Sequence, residues 1–266
     1  IWVLVTTPCT TTRSGCAPAA LMRVASLCAR VSIRCRRLAR CGGTETSIVV
    51  LHRLQAELEA LYATPLPYDV YDFLITDRAL ADALTPPGAS TSNQERLLVA
   101  NEEDGASVSL YLDANLLAAL ERDDPTDCLH AKNLPAFLLA LEGVSHLNYV
   151  MWNAERNTAV SLLEVELQSE VDKYVTCAKL LAQQGAGNVP AALHRRLFDE
   201  VSFDESLGAQ ARSRYVEANH FAARYCHSLR QRYPQHHYQP GFLRELRGFY
   251  RLPQMQKIGH IRAQAH

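Results

Sequence analysis

The sequence predicts an α+β protein, in which a small, mainly antiparallel sheet at about residues 68–165 is followed by a helical C-terminal half. Residues 107–113 alternate apolar and polar side chains, as one strand of a hairpin does. Residues 160–183 instead place apolar side chains at steps of three and four, which is the spacing of one helix face. Strands therefore come first and helices follow, an order typical of α+β folds.

The first 43 residues differ from the rest of the chain. They contain no Asp, Glu or Lys, but they hold seven Arg and five of the eight Cys. A transit peptide and a secretory signal are two interpretations. Translated upstream DNA is a third, and we favour it because the chain is Arg-rich and Lys-poor. We predict that residues 1–43 are a disordered, non-native or targeting-like segment. Residues 44–266 are predicted to form a single α+β domain, sheet-rich at 68–165 and helical at 160–260.

The first elements of this domain are predicted from the spacing of apolar residues and from residues that begin or end helices. Leucines at helical spacing after Ser47, a suitable N-cap, predict a helix at residues 47–62. Residues 69–76 are rich in Val, Tyr, Phe and Ile and predict a strand. A short helix is expected at residues 77–84, before Pro86.

A hairpin is predicted next, with strands at residues 96–100 and 107–113 joined by a turn that ends in Asp104-Gly105. A short helix should follow at residues 114–121.

The middle of the chain is predicted as a helix and then a strand. Asn133 can cap a helix that contains Pro135 and ends before Gly143. Residues 146–153 carry bulky side chains on both faces, which favours a central strand. On such a strand, His146 is expected to be a satisfied, half-buried residue.

The remainder of the chain is predicted to be helical. The segments are 160–183, 190–201, 205–232 and 241–251. Pro234 and Pro253 break the pattern, and the tail after residue 260 is expected to fray.

Two sets of polar residues are candidates for a metal or polar cluster. Glu217-x-x-His220 puts a carboxylate and an imidazole on one helix face, and His227 extends the same stripe. Glu166 and Glu170 lie one turn apart and could share a cation or a proton. A solvated helix face is the favoured interpretation of both sets.

The C-terminal part interleaves Arg with aromatic residues, a pattern shared by single-strand binders and helical interfaces. Its candidate anion-binding residues are Arg224, Arg244, Arg247 and Arg251. The formal charge of the chain is −1, and the acidic residues concentrate in 44–190 while 191–266 is basic. A nucleic-acid-binding domain is normally clearly basic, so this composition argues against nucleic acid.

Familiar catalytic motifs are absent from the sequence. It has no P-loop, no G-x-G-x-x-G, no G-x-S-x-G, no H-E-x-x-H and no C-x-x-C. We therefore expect no cofactor, and a non-enzymatic bacterial cytoplasmic protein that acts through protein contacts, as a homodimer or with another partner. The alternative hypothesis is a metal-dependent hydrolase that uses Glu217, His220 and acidic residues of the 160–173 helix such as Glu166 and Glu170, which requires the two helices to face each other across a cleft. Single-stranded nucleic-acid binding is a weaker hypothesis. No apolar run reaches the roughly 18 residues of a membrane span, so no membrane contact is predicted.

Overall fold

The computed structural model describes residues 2–5, 21–22, 47–86, 93–102, 105–185, 187–203, 207–234 and 240–264. Its strands are β1 (Trp2–Val5), β2 (Leu21–Met22), β3 (Leu74–Ile75), β4 (Glu95–Glu102), β5 (Gly105–Leu112) and β6 (Val160–Ser161). Its α-helices are α1 (Ser47–Tyr62), α2 (Arg78–Leu84), α3 (Ala114–Arg122), α4 (Leu134–Ala154), α5 (Leu162–Gln184), α6 (Leu193–Phe198), α7 (Ala209–Arg232), α8 (Pro240–Tyr250) and α9 (Gln254–Ala263). The predicted α+β class with a helical C-terminal half is confirmed.

The sheet is built on the predicted hairpin. β4 and β5 pair antiparallel, with Leu97 opposite Leu110, whereas β3 joins β5 and β1 joins β4 in parallel. The strand order is β1-β4-β5-β3, and β2 pairs with β6 separately. The tip of the hairpin turn, residues 103–104, lies outside the described residues.

The predicted strand at 69–76 is correct only in its second half. Residues Val70–Asp72 form a 3₁₀ turn, because the Asp69 side chain accepts a hydrogen bond from the Tyr71 amide at 2.9 Å. An Asx turn of this kind competes with extended backbone. The strand therefore begins only at Leu74.

The predicted strand at 146–153 is wrong, and so is the predicted helix end at Gly143. A single helix, α4, runs through both, and every residue from Gly143 to Ala154 is buried. A helix buried on all sides and a strand buried on both faces have the same continuous apolar pattern, which periodicity cannot separate. The helical assignment places Glu142 and His146 one turn apart, on one face of α4.

Helix α4 lies at the centre of the fold. It packs against α1, α3 and α5, and against β4 and β5. Successive side chains of β4 point to opposite faces of the sheet and therefore enter two different cores. Leu97 and Val99 belong to the main core, while Leu98 packs with Tyr111 in a small core beside α2. Glu95 has the same phase as Leu97 and Val99 along β4 and therefore faces α4.

The C-terminal helices largely follow the predicted segments. Helix α7 ends at Arg232 as expected, and the start predicted at Glu205 lies outside the described residues. The expectation of a frayed tail is wrong, since α9 continues to Ala263 and buries Lys257, Ile258 and Ile261.

Of the predicted non-native segment 1–43, only residues 2–5 and 21–22 are described, and its assignment stays a prediction. Among the described helices, none combines the length and apolarity needed to cross a bilayer.

Candidate functional site

Helices α4 and α5 each turn a pair of polar residues, one helical turn apart, toward their shared interface. The pairs are Glu142 and His146 on α4 and Glu166 and Glu170 on α5. Together with two further side chains they form what we call the buried cluster: Glu95, Glu142, His146, Glu166, Glu170 and Lys173. Residues at i and i+4 lie on one helix face, so both pairs point to the same place.

His146 is the centre of the buried cluster. Its Nδ1 lies 3.5 Å from Glu95 Oε1, and its Nε2 lies 3.3 Å from Glu166 Oε2. All three side chains are at most 3% exposed. Burial alone lowers the pKa of His146, but Glu166 and Glu95 outweigh burial and raise it to about 10. In this arrangement the imidazole is protonated at neutral pH.

Lys173 forms the other end of the cluster. Its Nζ lies 2.6 Å from Glu142 Oε2 and 2.8 Å from Glu170 Oε1. Burial opposes ionisation of Glu142, but Lys173 and His146 together lower its pKa to about 2. These three side chains are 13–20% exposed, so this end of the cluster is the one nearest to solvent.

Counted over the described residues, the cluster carries more negative than positive charge. It contains four carboxylates and two cationic side chains. Glu166 Oε1 is buried and accepts no hydrogen bond from the described residues. Burial raises the pKa of Glu170, and Glu142 and Glu166 raise it further although Lys173 opposes them. A buried excess of negative charge is costly unless a cation or protons neutralise it.

Tyr215 of α7 faces the same cluster. Its hydroxyl oxygen is buried and has no hydrogen-bond partner within the described part of the chain. Burial raises its pKa, and the carboxylates of Glu166, Glu142 and Glu95 raise it further. The hydroxyl therefore lies within range of the charge on these carboxylates.

Gly143 allows β4 to approach α4 closely. A Cβ at this position would lie 2.9 Å from Leu110 Cδ1 and 3.1 Å from Glu95 Cγ. Leu110 is fully buried and Glu95 nearly so, so an added Cβ would press against two buried side chains. The glycine thus sets the position of Glu95 against His146.

Gly143→Ala is expected to lower the free energy of unfolding by about 1–3 kcal/mol, because it overpacks the α4–β4 contact. Urea denaturation followed by circular dichroism measures this. Gly248→Ala is the matched control, since Gly248 lies within α8 and a Cβ there meets nothing within 4 Å. It should gain about 0.5–1 kcal/mol. Equal stabilisation by both substitutions would contradict the close approach.

The geometry of Glu95, Glu142 and His146 fits a single ion. Each offers one ligand atom, and these atoms all lie within 4.8 Å of one another. Two donors that each lie 2.0–2.2 Å from one ion are at most roughly 4.4 Å apart. A small side-chain rotation therefore closes the set around an ion.

The residues predicted from Glu217-x-x-His220 do not join this cluster. Glu217, His220 and His227 are all exposed, and His227 Nε2 pairs with Gln231 Nε2 at 2.9 Å on its own helix. The structure therefore gives no support to the cleft that would have joined them to Glu166 and Glu170. It also corrects the solvated-face interpretation of α5, because Glu164, Glu166 and Asp172 are buried.

The candidate anion-binding arginines divide into two groups. Arg247 donates to Leu61 O at 3.0 Å and to Ala60 O at 3.1 Å, and Arg251 donates to Ala63 O at 3.2 Å. These two side chains cap the C-terminal carbonyls of α1. Arg224 and Arg244 are exposed.

A second polar network crosses the α4–α5 interface. Asp172 accepts hydrogen bonds from Tyr62, from Ser145 at 2.5 Å and from Gln168 at 2.8 Å. Lys257 of α9 donates to Gln168 Oε1 at 2.7 Å and to Phe249 O at 2.9 Å. Burial raises the pKa of Asp172 to about 6 and lowers that of Lys257 to about 7. Every member of this network has a hydrogen-bond partner, so we interpret the network as one that stabilises the fold.

Comparison of the chain with protein families, with curated proteins and with solved structures gave no match.

Proposed function

We propose that the protein binds one divalent transition-metal ion through Glu95, Glu142 and His146. The observation that carries this proposal is the convergence of three ligand atoms in a buried cluster that has an excess of negative charge. A divalent cation would balance the excess negative charge of the buried carboxylates.

The ligand set selects the class of metal. Imidazole nitrogen suits zinc, iron and similar ions, while carboxylates also suit manganese. A mixed set therefore favours Zn²⁺, Mn²⁺ or Fe²⁺ over Ca²⁺ and Mg²⁺, which prefer all-oxygen sites.

The second contact of His146 supports the same proposal. With an ion on Nδ1 beside Glu95, the Nε2–H would donate to Glu166, which already lies 3.3 Å away. Histidine ligands normally donate their other ring N–H to a carboxylate in this way, which orients the ring. The ion takes the place of a proton, because histidine binds metals as the neutral ring.

The test is metal binding by untagged protein that has been stripped with a chelator. Equilibrium dialysis against Zn²⁺, Mn²⁺ and Fe²⁺ should show one bound equivalent. Glu95→Gln should weaken binding on the order of 100-fold, since loss of an outer-shell partner alone costs about 10–100-fold.

The double variant Glu217→Gln/His220→Asn is the control, because both side chains are exposed. It should bind metal as the wild type does. Absence of binding by the wild type, or loss of binding only in the double variant, would reject the proposal.

A metal-dependent hydrolase would therefore use Glu95, Glu142 and His146 as ligands in place of Glu217 and His220. The buried Tyr215 hydroxyl is then the candidate donor to a group bound at the ion. Two of the four arginines considered for nucleic-acid binding, Arg247 and Arg251, instead donate hydrogen bonds to carbonyls at the C-terminal end of α1. Action through protein contacts, homodimerisation and a bacterial, cytoplasmic setting stay predictions. The scattered Cys128, Cys177 and Cys226, each a free thiol, suit a reducing compartment.

A further inference from the structure

The position of Lys173 resembles that of a metal ion. Its ammonium group joins Glu142 of α4 to Glu170 of α5, at 2.6 Å and 2.8 Å. Both carboxylates are mostly buried, and the lysine side chain is only 13% exposed. A cation that joins carboxylates from two helices across a packed interface is what a second metal ion in such a cluster would provide.

Glu142 connects this position to the proposed metal site. One of its oxygens contacts Lys173, and the same residue belongs to the three that converge on a single ion. In two-metal sites the ions lie about 3.5–4 Å apart. A carboxylate shared by two neighbouring cation positions has the arrangement that such a pair requires.

Glu166 adds a further buried carboxylate to the same cluster. It is 2% exposed, and its Oε1 accepts no hydrogen bond from the described residues. Its charge also acts on Glu170, whose pKa it raises. Glu142 and Glu170 therefore contact Lys173 Nζ directly, and Glu166 adds negative charge that acts on Glu170.

We propose that Lys173 is a built-in cation that fills a second metal position and limits the cluster to one metal ion. The inference rests on the proposed function, since it assumes that the first ion binds at Glu95, Glu142 and His146. A protonated ammonium group cannot be a ligand, and it repels a divalent ion placed beside it. Without it, the same carboxylates would face one another uncompensated and would favour a second divalent cation.

The experiment compares Mn²⁺ stoichiometry in the wild type and in Lys173→Met, which keeps the apolar stem and removes the charge. Equilibrium dialysis should give one equivalent for the wild type and two for Lys173→Met. Electron paramagnetic resonance should show spin coupling between the two ions only in the variant. Lys173→Arg keeps the positive charge and should remain at one equivalent.

The possible outcomes separate the two proposals. No binding by the wild type rejects the metal site itself. One equivalent in both proteins, or two in both, leaves the metal site standing and overturns the role of Lys173. Should Lys173→Met fold only with metal, refolding in excess Mn²⁺ decides: recovery with two ions supports the inference, and failure to recover overturns it.

Discussion

His146→Leu is expected to lower the free energy of unfolding of the metal-free protein by about 3–5 kcal/mol. The imidazolium lies between Glu95 and Glu166, and all three side chains are buried. Removing one partner of a buried ion pair leaves the other charge uncompensated, which costs about that much. Leucine has a comparable volume, so a cavity contributes little. Urea denaturation in the presence of a chelator measures the loss.

The triple variant His146→Leu/Glu95→Gln/Glu166→Gln separates charge from packing. It removes both carboxylates together with the imidazolium, and neutral groups in place of a whole ionic cluster are often tolerated. We expect it to recover most of the stability lost in the single variant. A single variant that costs less than about 1.5 kcal/mol, as a simple apolar exchange does, would mean that His146 is not a buried cation.

The helices that carry local signals could be predicted from the sequence. Helix α1 was expected at 47–62 and is found at Ser47–Tyr62, because its leucines fall on one face. Helix α5 begins where Ser161 caps it through a hydrogen bond from the Glu164 amide at 3.1 Å. In both, one apolar stripe and its boundaries agree with the final packing.

Helix α4 could not be identified in this way, because its surroundings decide its structure. Residues 143–154 are buried on every side, so no polar face reveals the helical period. Gly143 looked like a helix end because glycine usually breaks or caps helices. Here it stays inside the helix because side chains of β5 and β4, Leu110 and Glu95, come too close for any Cβ. That approach is a tertiary contact, which a single sequence does not contain.

The sequence predicts only part of the candidate site, the pair Glu166 and Glu170, because the other members come together through tertiary contacts. The spacing of Glu166 and Glu170 predicts a shared cation, but their partners lie on α4 and not on the helix of Glu217 and His220. Glu142-x-x-x-His146 has the same one-turn spacing, but the two residues share a face only when residues 146–153 are helical. Glu95 could not be added, since it comes from a strand that only the fold places beside His146.

Lys257 was missed because buried lysines are rare and α9 has no clear apolar stripe. It is 0% exposed, and it joins three elements by hydrogen bonds. Its Nζ donates to Gln168 Oε1 of α5 at 2.7 Å and to the last carbonyls of α8, Phe249 O at 2.9 Å and Tyr250 O at 3.3 Å. It also lies 4.3 Å from the centroid of the Phe249 ring, within the range of a cation–π contact.

Lys257→Met is therefore expected to lower the free energy of unfolding by about 3–5 kcal/mol, the cost of breaking a buried charged network. Methionine fills the space of the stem, but it leaves Gln168 Oε1 without the Lys257 donor and removes one of the two donors to Phe249 O and to Tyr250 O. Unsatisfied buried acceptors each cost about 1–3 kcal/mol, so the loss should exceed that of any surface charge. Urea denaturation at pH 6, below the pKa of about 7, measures the protonated state.

Lys179→Met is the matched control, because Lys179 pairs with Glu57 where both side chains are 30% exposed. Such a pair contributes about 0–1 kcal/mol, so this variant should stay within that range of the wild type. Hydrogen exchange gives a second measure: amides of α8 and α9 should lose protection in Lys257→Met before those of α1. Equal stability of the two lysine variants would show that Lys257 does not hold α8 and α9 on α5.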